Sequence, residues 1–281
     1  MKFLPGFAPL AACYRGFIVD LWGVVHDGVT PYAGAIDCLQ QIRQLAKPLV
    51  LLSNAPRRAD VAQQGMRQMG IPDDLYTGIV TSGQVTRQML LNRTDYWFAR
   101  LGRRMFHLGP RRDRNLYEGL DLERVERPDA AEFVLNTGPD YRSPTDLTRY
   151  EGTLRACADA RLPMICANPD LEVIRGGQVV ICAGTLARRY EALGGDVRWI
   201  GKPDPAVYGP AFQILDLPRA DVLAVGDALR TDIAGAAAAG VDACWVLGGI
   251  HRVLQADPAA AEQAARAEGL APIACIPAFV W

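Results

Sequence analysis

Short runs of apolar and β-branched residues recur along this chain, each closed by a polar residue and followed by a longer stretch of helical periodicity. Phe17-Ile18-Val19 ends in Asp20, Leu49-Val50-Leu51-Leu52 ends in Ser53-Asn54, and Val222-Leu223-Ala224-Val225-Gly226 ends in Asp227. Between the first two runs Ile36, Leu39, Ile42 and Leu45 stand three apart, which predicts an amphipathic helix over 32–46. Further strands are predicted at 79–80, 197–200 and 243–247, and further helices over 56–69, 206–214 and 232–239. Alternation of this kind points to a parallel sheet, because parallel neighbours need long crossovers and helices are the usual ones. The expected fold class is therefore α/β with a Rossmann-like parallel sheet. The middle of the chain, about 83–182, also alternates, with strands expected at Met105-Phe106, Phe133-Leu135 and Met164-Cys166. Pattern alone leaves open whether this stretch extends the sheet or forms an inserted domain.

Composition narrows the function classes. The 281 residues carry a net charge of -1, so no electrostatic reason exists to expect nucleic acid or an anionic membrane as partner. No apolar run approaches a membrane span. Seven scattered cysteines, odd in number and with no C-x-x-C pair, read as reduced thiols, and the expected location is cytoplasmic. Leu10-Ala11-Ala12-Cys13 has the look of a lipoprotein cleavage site, but Pro5, Gly6 and Pro9 interrupt the preceding run, so it is read as ordinary chain.

The strand ends carry the chemistry. In an open parallel sheet the carboxyl ends of the strands share one edge, and ligands bind in the crevice there. Asp20, Ser53, Asn54 and Asp227 are expected at that edge, together with Lys202 after "VRWIG" and Asp232 five residues past Asp227. Three crowded carboxylates cannot all stay ionised without compensation, and a hard divalent cation, Mg²⁺, supplies it. The Ser53 hydroxyl and the Lys202 ammonium suit the oxygens of a phosphoryl group. Around a carboxylate nucleophile, Asp20, this set reads as phosphoryl transfer through an aspartyl-phosphate. Each residue also has a plain structural reading: Ser53 or Asn54 as a helix cap, Lys202 as a solvated loop lysine, Asp232 as a first-turn acid.

The stretches "FIVDLWGVVHDGV", "LLSNAPRR", "GKPDPAVY" and "VGDALRTDIAGAAAAG" resemble the haloacid dehalogenase (HAD) superfamily, in particular its class IIA, NagD-like branch of phosphatases. The resemblance covers nearly the whole chain and keeps all four motifs in order. It implies a discontinuous HAD core, 1–82 and 184–281, with an α/β cap of the C2 type inserted at 83–183. It implies Asp20 as nucleophile and metal ligand, Trp22 as donor of a backbone carbonyl to the metal, and Asp227 and Asp232 as the remaining metal ligands. Ser53 and Lys202, with Asn54 beside them, take the phosphate-binding roles. Asn168 and Asp170, in the cap's "NPD", face the active site. The implied cofactor is Mg²⁺ and the implied substrate a small phosphorylated metabolite, and a homodimer through the cap is compatible with the resemblance.

One residue departs from that pattern. Phosphatases of this superfamily carry D-x-D in the first motif, the second Asp acting as general acid/base, whereas this chain has Asp20-Leu21-Trp22. An indole donates a hydrogen bond and has no titrating role, and general acid–base catalysis is worth about 10²–10⁴-fold. The expectation is a slow phosphatase, a reaction needing little protonation of the leaving group, or a site that binds without turnover. His26 or Asp27, at the Asp27-Gly28 turn of a flap, is the candidate replacement acid/base. Trp22 itself is expected to narrow the pocket and exclude water. The charged run "RRDRNLYEG" in the cap, balanced by Asp113, Glu118, Asp121, Glu123 and Glu126, is expected to be a solvated face. Two alternatives share these residues: a catalytically weak phosphometabolite-binding protein, and a dehalogenase-type hydrolase, against which Asp227, Asp232 and the large cap count.

Overall fold

A computed structural model of the protein describes residues 1–140 and 146–281. Among them fourteen strands run, in chain order, β1 (Lys2–Phe3), β2 (Gly16–Val19), β3 (Leu49–Ser53), β4 (Gly78–Thr81), β5 (Arg104–Leu108), β6 (Glu123–Val125), β7 (Phe133–Asn136), β8 (Met164–Cys166), β9 (Glu172–Arg175), β10 (Gln178–Ile181), β11 (Val197–Trp199), β12 (Val222–Gly226), β13 (Asp242–Val246) and β14 (Ala274–Ile276). They form a seven-stranded sheet ordered β1-β14-β13-β12-β2-β3-β4, a five-stranded sheet ordered β11-β8-β7-β5-β6, and a β9–β10 hairpin. Every pairing in the two larger sheets is parallel.

Period-two side-chain alternation explains why the strands read as continuous apolar runs: both faces of each sheet are covered. Phe17, Val19, Leu49, Leu51, Leu223 and Val225 enter one core cluster of the larger sheet. Their neighbours Ile18, Val50, Leu52, Val222 and Ala224 enter the cluster on the other face. The smaller sheet repeats this, with Val134, Met164 and Cys166 on one side and Met105, Phe133, Leu135 and Ile165 on the other.

The chain leaves the larger sheet after Thr81 and returns to it at Val222. The sequence assigned Val197–Ile200 to the core and ended the cap at residue 183, and the pairing corrects both. β11 lies beside β8 in the smaller sheet, Val197 against Met164 and Trp199 against Cys166. The helix Ala183–Ala192 also belongs there, burying Leu186, Ala187 and Tyr190 among cap residues. A short apolar strand looks the same whichever sheet it joins, and only its partner decides. The cap therefore extends to about residue 200, and Lys202 sits on the linker that returns to the core.

At the turn of the hairpin, Gly176 and Gly177 have φ of +54° and +78°, the left-handed pair that a two-residue hairpin loop requires. Its tip reaches the Asp27–Thr30 turn, where Val29 lies next to Gly176. All seven cysteines are free thiols, six of them buried and Cys13 exposed. No helix among the described residues is long and apolar enough to cross a membrane.

Candidate active site

The order β13-β12-β2-β3-β4 places β12, β2 and β3 side by side, with the chain winding outward in opposite senses from β2, a topological switch point. Asp20 follows β2, its N–H donating to the Val225 carbonyl at 2.9 Å. Ser53 is the last residue of β3, and Asp227 follows β12. Asp232 lies on a π-helical turn, Leu229–Ile233, that leads into the helix Ala234–Ala239. One oxygen from each of Asp20, Asp227 and Asp232 lies within 4.8 Å of the other two, and all three side chains are buried.

Lys202 descends onto this group from the cap-to-core linker. Its ammonium donates to Asp20 Oδ1 at 2.6 Å, to Asp232 Oδ1 at 2.6 Å and to the Leu52 carbonyl at 2.9 Å, with only 3 % of its side chain exposed. The free oxygen of Asp232 accepts from the Ala228 N–H at 3.0 Å, and Asp227 Oδ2 accepts from the Ile250 N–H at 2.9 Å. Burial is the largest influence on the carboxyl of Asp20 and pushes it up, the negative charge of Asp232 adds to this, and Lys202 opposes both. Asp227 is raised well above the carboxylate range, by burial first and then by its two acidic neighbours. For Lys202, burial disfavours the ammonium, but Asp20 and Asp232 outweigh it and the group is held charged. One lysine touches two of three clustered carboxylates. The donor set is hard, all oxygen and short of positive charge, and it fits a divalent cation such as Mg²⁺.

Two glycines that the sequence reading passed over build the seat of Asp227. A side chain at Gly23 (φ +80°) or at Gly249 would run into the Asp227 carboxylate. Backbone this close to an acid is open only to glycine. Gly248-Gly249 stands in the sequence as a doublet after β13, and that is the signal that would have found it.

Asn54 differs from expectation. Its Oδ1 accepts from the Lys202 N–H at 2.8 Å, while Nδ2 donates to Asp170 Oδ1 at 2.9 Å and to the Lys202 carbonyl at 3.3 Å. Both amide hydrogens are spent, so Asn54 positions the lysine and ties core to cap instead of holding phosphate. Ser53 is buried, with Oγ accepting from the Ala55 N–H at 3.2 Å, which leaves its hydroxyl hydrogen to donate elsewhere. Asp170 reaches a small cavity shared with Asp20, Trp22 and Asp227. Burial raises its carboxyl, against the pull of Lys202. The Asn168 side chain accepts from the Asp170 N–H at 3.0 Å and holds the loop in shape, while Arg230 grips the Pro169 carbonyl.

His26 is neither solvent-exposed nor placed to serve Asp20. It is 4 % exposed, packs edge-on against the Trp22 ring at 5.4 Å, and its Nδ1 accepts from the Gly28 N–H at 3.0 Å. Burial lowers its pKa to about 4, so the imidazole is neutral. The cavity it lines, with Trp22, Arg57 and Met69, does not contain Asp20. His26 is held by the Trp22 ring and the Gly28 amide and shares no cavity with Asp20, and the expected acid/base role for His26 is corrected on that ground. Asp27 makes the turn, Oδ1 accepting from Val29 and Thr30. The charged run in the cap is likewise only partly a solvated face. The 3₁₀ turn Arg111–Leu116 folds Asp113 inward to 1 % exposure, and Arg112 lines a cavity beside Trp22.

Comparison with known proteins gives the family. Residues 17–123 match the family described as haloacid dehalogenase-like hydrolase, and residues 199–272 match a second model described as HAD-hydrolase-like. A solved structure of a hydrolase of the haloacid dehalogenase-like family from Brucella suis superposes with a TM-score of 0.86 at 34 % identity, covering 99 % of this chain and 100 % of that one. The D-glycerol 3-phosphate phosphatase of Mycobacterium tuberculosis is 31 % identical over 247 residues. That alignment takes in 83 % of this chain but 63 % of the longer relative. A glycerol phosphate phosphatase from the same organism, crystallised with magnesium, superposes with a TM-score of 0.64 at 26 % identity, covering 89 % of this chain and 73 % of that one.

Proposed function

The chain belongs to the haloacid dehalogenase-like hydrolase family, and from that premise we propose that it hydrolyses small phosphate monoesters through an aspartyl-phosphate at Asp20. The observation that supports this most is the meeting of Asp20, Asp227, Asp232 and Lys202 in one buried nest at the switch point of the sheet. Similarity to proteins named as phosphatases points the same way.

Each group has a task. Lys202 fixes Asp20 Oδ1, which leaves Oδ2 to attack phosphorus. The phosphorus–oxygen bond to the leaving group breaks as the Asp20 oxygen–phosphorus bond forms. Water then attacks the acyl phosphate, releasing inorganic phosphate and the free carboxylate. The Lys202 ammonium and the Ser53 hydroxyl face the charge that gathers on the phosphoryl oxygens. Asp20, Asp227, Asp232 and the Trp22 backbone carbonyl would hold Mg²⁺. When bound, it neutralises charge on the transferring phosphoryl group.

Proton supply sets this chain apart. Trp22 offers no titrating group, and His26 is buried, neutral and absent from the lining of the nest. Neither position protonates the leaving oxygen, so turnover favours leaving groups that depart as stable anions. Trp22 instead walls the cavity and keeps bulk water out. Incubating the protein with Mg²⁺ and p-nitrophenyl phosphate, beside an Asp20→Asn variant, tests the assignment. Chelator-sensitive release of nitrophenol by the wild type alone supports it. Equal release by both proteins, or release indifferent to chelator, refutes it.

A further inference from the structure

The cavity that His26 lines is separate from the carboxylate nest. It measures about 330 Å³, which is within the range of small-molecule pockets. All of its walls come from residues 21–69, before the chain leaves the larger sheet. Leu21, Trp22 and Met69 give it apolar sides.

A buried donor without an acceptor opens into it. His26 Nδ1 accepts from the Gly28 N–H, so the neutral ring carries its hydrogen on Nε2. That N–H has no hydrogen-bond partner among the described residues, although His26 is only 4 % exposed. The side-chain atoms sealed in protein without a partner belong to Arg57, Asp113 and Arg198. His26 Nε2 is therefore not sealed, and the space it meets is this cavity.

A glycine inside a helix keeps the floor open. Gly65 is the seventh residue of the ten-residue helix Ala59–Gln68, where glycine weakens a helix relative to alanine. No close neighbour demands it, since a Cβ built there would meet nothing within 4 Å. With Ala62 and Met69, spaced three and four residues away on one helix face, Gly65 lines the cavity, so a larger side chain would take up its volume. The walls are also one-sided in charge. Arg57 brings a guanidinium, the Gln68 amide adds a neutral donor, and no carboxylate lines the space. The Arg57 charge is near enough to His26 to work against protonation of the imidazole.

We propose that this cavity binds a small carboxylic acid with a compact apolar body, an aromatic acid of benzoate size being the simplest case. The carboxylate takes the Arg57 guanidinium and the His26 N–H, and the body lies against the Trp22 indole. A phosphate supplies the charge and leaves the apolar walls unfilled. A cation confronts Arg57, and a neutral body forgoes the charge-assisted hydrogen bonds. Trp22 also lines the cavity at Asp20, so the bound acid touches the catalytic site through one indole without entering it. The inference does not rest on phosphoryl transfer at Asp20.

Calorimetric titration of the full chain with benzoate tests it. Benzoate should saturate one site per chain with a Kd of about 0.1–1 mM, and benzamide, the same shape without the charge, should bind about 10-fold more weakly or worse. Gly65→Leu should weaken benzoate by about 10-fold or more while melting no lower than the wild type, because leucine favours a helix and glycine does not. His26→Phe, which keeps a ring and loses the N–H, should weaken it by about 3- to 10-fold. A large excess of inorganic phosphate should leave the affinity unchanged. The absence of saturable benzoate binding overturns the inference, as does equal affinity for benzamide or wild-type affinity in both variants. Displacement of benzoate by phosphate also overturns it, since the acid would then occupy the nest at Asp20.

Discussion

Replacing Lys202 by Met retains most of the stem and removes the ammonium that holds the site together. In the wild type that ammonium donates to Asp20, Asp232 and the Leu52 carbonyl at 2.6, 2.6 and 2.9 Å. The variant leaves two buried carboxylates facing one another with no counter-charge between them. Removing one partner of a buried ion pair costs about 3–5 kcal/mol. Asp20 relieves part of this by taking up a proton, since burial already raises its carboxyl, so a loss of about 3 kcal/mol is expected at neutral pH. Urea unfolding in chelator-treated buffer measures it as a lower midpoint at unchanged slope. The Asp20→Asn background provides the internal check. There Lys202→Met should cost about 1–3 kcal/mol less, because one of the two stranded charges is gone. A loss below about 0.5 kcal/mol, or the same loss in both backgrounds, would refute the idea that the lysine compensates the carboxylates.

Other expectations follow from the same geometry. Trp22→Asp should raise kcat by about 10- to 100-fold on an alkyl phosphate, whose alkoxide needs a proton, and by little on p-nitrophenyl phosphate, whose anion does not. Steady-state rates on the two esters, with Trp22→Ala as control, check this, and equal gains on both would count against it. Gly249→Ala should drive the Asp227 carboxylate out of its seat and weaken Mg²⁺ binding by about 10- to 100-fold, measured by calorimetry. His26, buried and neutral, has its pKa lowered from 6.5 to about 4. Its folded state thus binds fewer protons than the unfolded chain between those values. Stability is whole above about pH 6.5 and is lost as pH falls toward 4, by about 3 kcal/mol. His107 and His251 are lowered by burial too, so melting curves of His26→Asn should keep part of the acid dependence that the wild type shows.

Much of this arrangement was legible in the residues themselves. Apolar runs closed by Asp20, Ser53 and Asp227 marked three adjacent parallel strands, because strand register and the polar stop are local signals. What the sequence hid were partners. Val197–Trp199 has the composition of a core strand and pairs in the cap, so the cap boundary and the position of Lys202 were misplaced together. Asn54 is a polar residue at a strand end, as a phosphate ligand would be, yet its amide is consumed by Lys202 and Asp170, both more than a hundred residues away. His26 titrates in a useful range in water, but the Trp22 ring and the Gly28 amide determine what it does. Asp113 sat within a charged run that reads as surface, and only the fold of the 3₁₀ turn shows that one acid of the run points inward. Chemical type is local, whereas engagement is tertiary.

The most direct examination of the central claim is to mix the protein with Mg²⁺ and acetyl phosphate, quench in acid within the first turnover, and map the modified peptides by mass spectrometry. The expected result is one phosphoryl group on the peptide carrying Asp20, absent when Asp20 is replaced by Asn. A phosphoryl group on any other residue, or hydrolysis with none trapped at Asp20, would contradict it.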